Sequence, residues 1–243
     1  MKTIRNLRKL SLMFIGFGVI YLSSCKTVDE PIFGGTVTDI DGNVYHTVTV
    51  GPQTWLVENL KTTHFNDSAV IPLVTDSAEW GNMVTPARCW YNNDSANYNE
   101  TYGQLYNWHT VNTGKLAPKG WHIPTNEEWV ILENNVSKYY YKSASLAKIL
   151  ASNTLWEPSV SSGTVGNKLS ENNYSGFSAI PGGYRINYKH SFGKIDSVGV
   201  WWSSSQTDSI RLAWTLSIKN DQSTVDRAKF LKWRGYSVRC IKD

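Results

Sequence analysis

Two short segments impose the strongest constraint on how this chain can fold. One contains the corner Pro181-Gly182-Gly183, and the other contains the adjacent tryptophans Trp201 and Trp202. Glycine permits backbone conformations that other residues avoid, whereas two neighbouring indoles need a large packing volume. We therefore expect a tight, irregular loop that is held against an aromatic core.

The N-terminal segment has the features of an export signal. Residues 1–25 begin with four basic side chains, continue with an apolar stretch and end in Leu22-Ser23-Ser24-Cys25. The apolar stretch is too short, and too often interrupted by serine and glycine, to favour a membrane-spanning helix. A small residue before a cysteine at this point resembles a lipobox, in which the cysteine is diacylated and becomes the new N-terminus. We expect lipidation of Cys25, with a buried structural thiol as the alternative.

This processing predicts the organisation and location of the mature protein. A flexible polar tether over residues 26–35 would hold a single domain, residues 36–243, on a bacterial membrane through the lipid. We expect an outer-membrane location in the cell envelope. The acidic residues Asp29 and Glu30, shortly after the anchor, are compatible with surface exposure.

The charge balance argues against a nucleic-acid partner. The net charge of +4 comes from 24 basic and 20 acidic residues, but four of the basic residues lie in the signal, so the remaining chain has 20 of each. A basic domain would have favoured binding to phosphate backbones. No nucleic-acid binding is predicted.

Two cysteines, Cys89 and Cys240, remain after processing. A free pair outside the cytoplasm is expected to oxidise, so a disulfide from the middle of the domain to its last strand is the simple interpretation. Two buried thiols are the alternative. Because no CxxC or Cys/His cluster is present, neither a metal site nor a cofactor is predicted.

A hairpin is predicted near the start of the domain. Asp41-Gly42 lies between two β-branched runs, which is typical of a tight hairpin turn. In the second run, residues 44–50, the even-numbered side chains would share one face.

Two helices are predicted in the middle of the chain. Thr125 and Glu128 have the spacing of a capping box, and apolar residues follow at intervals of three and four. A shorter helix is expected over residues 145–152.

The segment of residues 66–107 is rich in Asn, Asp, Ser and Tyr and predicts a long loop. Its part from residue 92 to residue 100 contains oxygen donors for calcium but lacks the fixed positions of an EF-hand. We interpret these side chains as partners of the loop backbone, with a calcium site as the alternative.

The last third returns to the alternation that is typical of strands. The even-numbered residues from Leu212 to Ile218 are apolar and predict a strand with one buried face. Tyr236, Val238 and Cys240 repeat the pattern, so we expect the C-terminus to lie in the core. The predicted class is α+β, with a twisted antiparallel sheet, one or two helices and long irregular loops.

Four segments carry a resemblance to a known family. They are residues 120–125 (GWHIPT), 176–185 (GFSAIPGGYR), 199–205 (GVWWSSS) and 235–240 (GYSVRC). Together they resemble the Fibrobacter succinogenes major paralogous domain, a family of surface or secreted proteins that are often lipoproteins. The resemblance extends from about Gly42 to the C-terminus. It implies a C-type lectin-like fold, related to formylglycine-generating enzymes and to the variable proteins of diversity-generating retroelements.

No group of residues predicts an enzyme. The five histidines are scattered, and no nucleophile with a base, carboxylate pair or metal cluster stands out. We interpret Glu58 and Asn59 as structural polar groups and His122 as a core or turn imidazole. The formylglycine-generating relatives depend on cysteines near the C-terminal core, where this chain has only Cys240. The EPN, QPD and WND triplets of calcium-dependent lectins are missing, so no catalytic residue is predicted.

The aromatic content favours a binding module. Eleven tryptophans and thirteen tyrosines supply stacking surfaces for sugars or anchors for a protein partner. In an extended strand Trp201 and Trp202 would face opposite sides, so one of them is expected to be less buried than the other.

The resemblance places ligand contacts on the exposed face near the C-terminus. We therefore predict non-catalytic binding of a glycan or protein there, with the candidate contacts Trp201, Trp202, Asp208, Arg211, Trp233 and Arg234. A structural adhesin or envelope scaffold is the alternative, and a divergent enzyme of the formylglycine-generating type is the second. A concave pocket lined by these residues would favour recognition, whereas a flat polar face would favour a scaffold.

Overall fold

The computed structural model describes residues 31–140, 144–186 and 191–243, which contain short strands and helices in an α+β arrangement, as predicted. The strands are β1 (Ile32–Thr38), β2 (Val44–Val50), β3 (Gln53–Leu56), β4 (Arg88–Cys89), β5 (Leu105–Tyr106), β6 (Trp121–His122), β7 (Gly182–Arg185), β8 (Phe192–Ile195), β9 (Val198–Gln206), β10 (Leu212–Lys219), β11 (Asp226–Leu231) and β12 (Ile241–Lys242). The helices are α1 (Ser77–Gly81), α2 (Ser95–Tyr102), α3 (Trp108–Val111), α4 (Asn126–Tyr140) and α5 (Leu146–Leu150).

Two five-stranded sheets carry the fold. The first has the order β1-β2-β3-β12-β6 and the second has the order β11-β10-β9-β7-β8, while β4 and β5 form a separate ribbon. Strand pairs are antiparallel except for β7 and β9, which are parallel. Because β12 lies between β3 and β6, the end of the chain is part of the first sheet. Tyr236, Val238 and Cys240 are buried, which confirms the predicted core position of the C-terminus.

Three clusters of buried apolar side chains form the core. The first core cluster includes Val48, Trp55, Trp129, Phe177, Trp201 and Leu216. The second core cluster includes Tyr45, Tyr106, Trp202, Ala213, Tyr236 and Cys240. The third core cluster is smaller and includes Val74, Trp80, Cys89 and Leu105.

The predicted hairpin is confirmed. β1 and β2 pair antiparallel, and the Gly42 amide donates to the Asp39 carbonyl over 3.1 Å in the turn between them. Gly42 has a φ of 84°, a conformation that glycine adopts without the steric cost that a Cβ would add. The Asp39 carboxylate accepts from the amides of Asp41 and Asn43, which fixes the turn further.

Burial along β2 does not follow either face alone. Tyr45 and Thr47 are buried in the first half of the strand, where His46 is exposed, and Val48 and Val50 are buried near its end. Tyr45 belongs to the second core cluster and Val48 to the first. The strand is therefore covered from different sides at its two ends.

β10 also departs from the simple alternation. Ala213 and Thr215 are buried on one side and Leu216 and Ile218 on the other, while Trp214 is half-buried. The prediction of one buried face is wrong because the two faces of β10 are packed into different core clusters. Leu216 contributes to the first core cluster and Ala213 to the second.

The predicted helices are both present. The Glu128 amide donates to the Thr125 hydroxyl over 3.1 Å, and the Thr125 amide donates to the Glu128 carboxylate over 2.7 Å, so the capping box is formed. Trp129 at the start of α4 stacks on Trp55 with ring centroids 4.8 Å apart. The shorter helix α5 begins after Ser145 and buries Ile149.

The long loop predicted over residues 66–107 is only partly a loop, because it contains α1, β4, α2 and β5. α2 lies within the stretch considered for calcium. The Asp94 carboxylate caps this helix by accepting from the Asn97 amide over 3.1 Å. Within the described ranges, no group of three or more His, Cys, Asp or Glu side chains is placed to hold a metal ion.

The N-terminal predictions lie largely outside the described residues. Cys25 and most of the tether fall before residue 31. β1 begins at Ile32, so the last residues assigned to the tether belong to the first sheet instead. In the described part of the chain, no helix has the length and apolar character needed to cross a membrane.

Candidate functional site

The adjacent tryptophans of β9 are both core residues. Trp201 lies in the first core cluster and Trp202 in the second, and both side chains are 0% exposed. Their indole N–H groups donate to the Asn59 amide oxygen and to the Tyr106 carbonyl, each over 2.8 Å. The predicted difference in burial is wrong because both faces of β9 are covered. Neither ring reaches the surface, so neither is positioned to contact a ligand.

Asn59 holds a buried polar group together. Its side-chain oxygen accepts from Trp201 and also from Nε of Arg239 over 2.9 Å. The Arg239 guanidinium is fully buried and donates further to the carbonyls of Leu56, Phe177 and Ser178. Burial lowers the pKa of Arg239 to about 9, but this value is still high enough for the side chain to be protonated at neutral pH. These contacts support the interpretation of Asn59 as a structural polar residue.

The predicted disulfide is not formed. Cys89 lies in the third core cluster and Cys240 in the second, and both are free, fully buried thiols. Burial raises the pKa of Cys89 to about 11 and the pKa of Cys240 well above its ordinary value. The pairing prediction is wrong because the two thiols are packed in different core clusters. The alternative of two buried thiols describes the structure.

The remaining predicted contacts lie on two neighbouring loops. Asp208 and Arg211 are exposed in the β9–β10 loop, and Trp233 and Arg234 follow β11. The Lys232 amide donates to the Arg211 carbonyl over 2.9 Å, which holds the two loops together. Trp233 packs against the third core cluster. The predicted pocket of a β9 tryptophan with Asp208, Arg211 and Trp233 does not form in the described ranges.

A cavity of about 340 Å³ opens instead on the neighbouring sheet surface, and we name it the sheet-face cavity. β7, β8, β9, β10, β11 and the loops beside them line it. Val200 of β9 and Ser217 of β10 are opposite each other in the register and share this face. Arg234 is the one predicted contact that lines the cavity.

Three aromatic rings form the apolar part of the sheet-face cavity. Tyr236 is nearly fully buried, and its ring meets Tyr184 edge-on with centroids 6.5 Å apart and Phe230 at 5.7 Å. Tyr184 and Phe230 are only half-buried, so their rings are accessible from the cavity. Aromatic surface with a few placed polar groups is the usual composition of a small-molecule site.

Basic side chains outnumber acidic ones around the sheet-face cavity. Lys194, Lys219 and Arg234 line it together with a single carboxylate, Asp221. Lys219 is paired with the Asp226 carboxylate over 2.8 Å, which neutralises part of its charge. The described residues provide no ion pair to Arg234 or Lys194.

Arg234 is held in a defined orientation. Its guanidinium lies 4.7 Å from the Phe230 ring centroid, and Nη1 donates to the Tyr236 hydroxyl over 3.1 Å. Its Nε is buried without a hydrogen-bond partner among the described residues. Burial raises the pKa of Tyr236 to about 12, so its hydroxyl remains protonated and is able to donate a hydrogen bond itself.

A second cavity of about 240 Å³ is bordered by His64. Nδ1 of this histidine contacts the Asp41 carboxylate, which also accepts from the amide and hydroxyl of Thr63. The Asp41 carboxylate is able to hold the His64 imidazole in the orientation that a general base requires. Among the described residues, no hydroxyl or thiol is hydrogen-bonded to Nε2 of His64, so the nucleophile of a Ser–His–Asp arrangement is not in place.

His122 lies outside both cavities and has a structural position. Its two ring nitrogens contact the carboxylates of Asp243 at 2.7 Å and Glu128 at 2.8 Å, which joins the end of the chain to the start of α4. Partial burial lowers the pKa of His122, but the hydrogen bonds to Asp243 and Glu128 outweigh burial and raise it above its ordinary value.

Sequence reasoning missed most of the sheet-face cavity. The position of Phe230 could have been found from the sequence, since Ala228 and Phe230 alternate with the charged residues Arg227 and Lys229. That pattern predicts a strand with one apolar face. Tyr184 follows the Pro-Gly-Gly corner, but nothing local indicates that its ring faces an open surface.

Comparison with known families gives one match. Residues 48–242 match the model of the family described as the Fibrobacter succinogenes major domain, which is more than half of the chain. No curated protein matches the chain, and neither does any solved structure.

Proposed function

The chain belongs to the Fibrobacter succinogenes major domain family, and we propose that its domain binds a glycan or protein ligand without catalysing a reaction. The observation that carries this proposal is the sheet-face cavity, in which half-buried aromatic rings lie beside Lys194 and Arg234, two basic groups with no ion pair among the described residues. A scaffold would need only a flat polar face here. A concave site with an oriented arginine supports recognition.

The proposed site differs in position from the loops that the sequence suggested. Tyr184 and Arg234 line the cavity, whereas Asp208, Arg211 and Trp233 do not. The site is built on strands of a packed sheet, which hold a binding surface more firmly than loops do. The mixed α+β architecture is compatible with a C-type lectin-like fold, which we propose for the domain.

We also propose that a lipid on Cys25 holds the protein in the cell envelope, at the outer membrane. The support is the basic and apolar segment that ends in Leu22-Ser23-Ser24-Cys25. Cys25→Ser is expected to abolish metabolic labelling with a palmitate analogue and to release the protein from the membrane fraction. Undiminished labelling of this variant would contradict the anchor.

The recognition proposal is tested with the full chain in mild detergent on a glycan array and in a pull-down from envelope extracts. Tyr184→Ala removes an aromatic ring of the cavity and is expected to weaken binding of the ligand that is found. Tyr139→Ala is the matched control, because it makes the same change at an exposed tyrosine of α4 and should bind normally. Far-ultraviolet circular dichroism checks that each variant is folded.

Arg211→Ala distinguishes the two positions for the site. If this variant loses binding while Tyr184→Ala retains it, the ligand binds at the β9–β10 loop and the cavity assignment is wrong. If the ligand is chemically converted during the assay, the non-catalytic part of the proposal is wrong.

A further inference from the structure

We propose that the sheet-face cavity binds an acidic glycan, and that Arg234 binds the carboxylate of a hexuronate unit. This inference rests on the proposed recognition function and adds the chemical class of the ligand. It depends on three features of the cavity: its charge, the orientation of Arg234 and the mixture of ring faces and hydroxyl groups.

The charge of the cavity favours an anion. Of the three basic side chains that line it, only Lys219 has a carboxylate partner among the described residues, and Asp221 is the single acidic group in the lining. Lys194 and Arg234, which have no ion pair among the described residues, therefore give the lining more positive than negative charge. A concave surface with low-dielectric walls concentrates such a field and attracts ligands of the opposite sign.

The position of Arg234 suits a carboxylate in particular. The Phe230 ring and the Tyr236 hydroxyl fix the guanidinium plane. A fixed guanidinium presents parallel N–H groups that match the two oxygens of a carboxylate.

The rest of the lining suits a sugar ring. Tyr184 and Phe230 offer half-buried ring faces, and the hydroxyls of Ser197 and Ser217 lie in the same lining. A sugar has one C–H surface and several hydroxyls, and it requires this combination of apolar faces and hydrogen-bonding groups. The volume of about 340 Å³ is near the lower end of ligand sites, which run from roughly 300 to 1,000 Å³, so it favours a ring-sized unit.

The test uses fluorescence anisotropy with an end-labelled tetragalacturonate and its methyl ester, which differ only at the carboxyl groups: these are charged in the acid and neutral and methylated in the ester. The full chain in mild detergent is expected to bind the acid at least tenfold more tightly than the ester, with an affinity that falls as salt is added. Arg234→Gln should weaken binding of the acid at least tenfold. Arg234→Lys keeps the charge but not the paired donors and should lose several-fold.

Two further variants protect the test against simple misfolding. Lys194→Gln changes an exposed side chain and should weaken binding of the acid a few-fold without disturbing the core. Arg211→Gln removes the same charge as Arg234→Gln but lies outside the cavity lining, so its affinity should equal that of the unaltered protein.

The outcomes separate this inference from the proposed function. Equal binding of the acid and the ester would overturn the role of the carboxylate and leave recognition of sugars in place. Binding of neither probe would overturn the acidic-glycan inference, while the array and pull-down with Tyr184→Ala would still decide whether the cavity is a binding site. Tight binding of the acid by folded Arg234→Gln would also overturn the assignment.

Discussion

Asn59→Ala is expected to be one of the most destabilising single substitutions in the domain. The side chain is 1% exposed and makes hydrogen bonds with three separate parts of the chain. Its oxygen accepts from Trp201 Nε1 over 2.8 Å and from Arg239 Nε over 2.9 Å, and its nitrogen donates to the Tyr102 carbonyl over 3.1 Å. Alanine would leave all three partners without the hydrogen bond that Asn59 makes with each of them.

The magnitude follows from the cost of those unpaired groups. A buried neutral group that loses its partner costs about 1–3 kcal/mol, and a charged donor such as the Arg239 guanidinium costs more. Arg239 keeps its hydrogen bonds to the carbonyls of Leu56, Phe177 and Ser178, which limits the loss. We therefore expect a decrease of about 3–5 kcal/mol in the free energy of unfolding, against a typical total of about 5–15 kcal/mol.

Urea unfolding followed by tryptophan fluorescence measures this decrease. The matched control is Asn134→Ala, because Asn134 is exposed on α4 and alanine has the higher helix propensity. The free energy of unfolding of this variant should differ from that of the unaltered protein by no more than about 0.5 kcal/mol. The comparison is valid if the slope of the free energy of unfolding against urea concentration is the same for the unaltered protein, Asn59→Ala and Asn134→Ala. A loss of less than about 1 kcal/mol in Asn59→Ala would refute the central role of these hydrogen bonds.

Two further predictions concern titration and redox state. The pKa of His122 is raised in the folded protein, so its contacts with Glu128 and Asp243 stabilise the fold fully below the ordinary pKa of about 6.5, and this contribution is lost as the pH rises through the raised pKa. Since the histidine is well exposed, its contribution to the free energy of unfolding should be about 1 kcal/mol or less. The urea midpoints of His122→Gln and of the unaltered protein should differ more at pH 6 than at pH 8. A difference that stays constant with pH would contradict this contribution. Cys89 and Cys240 are buried with raised pKa values, so iodoacetamide should modify both only after denaturation, and a mass spectrum showing them linked would rule out the free thiols.

Local features of the fold were readable from the sequence. The Asp-Gly turn and the capping box of Thr125 and Glu128 both depend on residues close together in the chain. Turn geometry and helix capping are decided by short-range sterics and hydrogen bonds. These predictions therefore required no knowledge of the rest of the chain, and the structure confirms them.

Predictions that assumed one covered side of a strand were less successful. Alternation reports burial when one face of a strand is solvated, but β9 is packed on both faces, so Trp201 and Trp202 are equally buried. The candidate site also depends on tertiary structure. Arg234 was identified by its charge and aromatic neighbour, whereas Tyr184 and Phe230 belong to the site only because β7 and β11 flank the same sheet surface.

By itself, the sequence determined the α+β class, the family and the elements that depend on near neighbours. The tertiary structure decided which strand faces are covered, that Cys89 and Cys240 lie in different clusters, and where the cavity forms. The Asn59–Arg239 hydrogen bond shows the reason, since its partners are 180 positions apart. Contacts of this kind are selected by the packing of whole sheets against one another, and no local pattern of side chains records which distant residue will complete them.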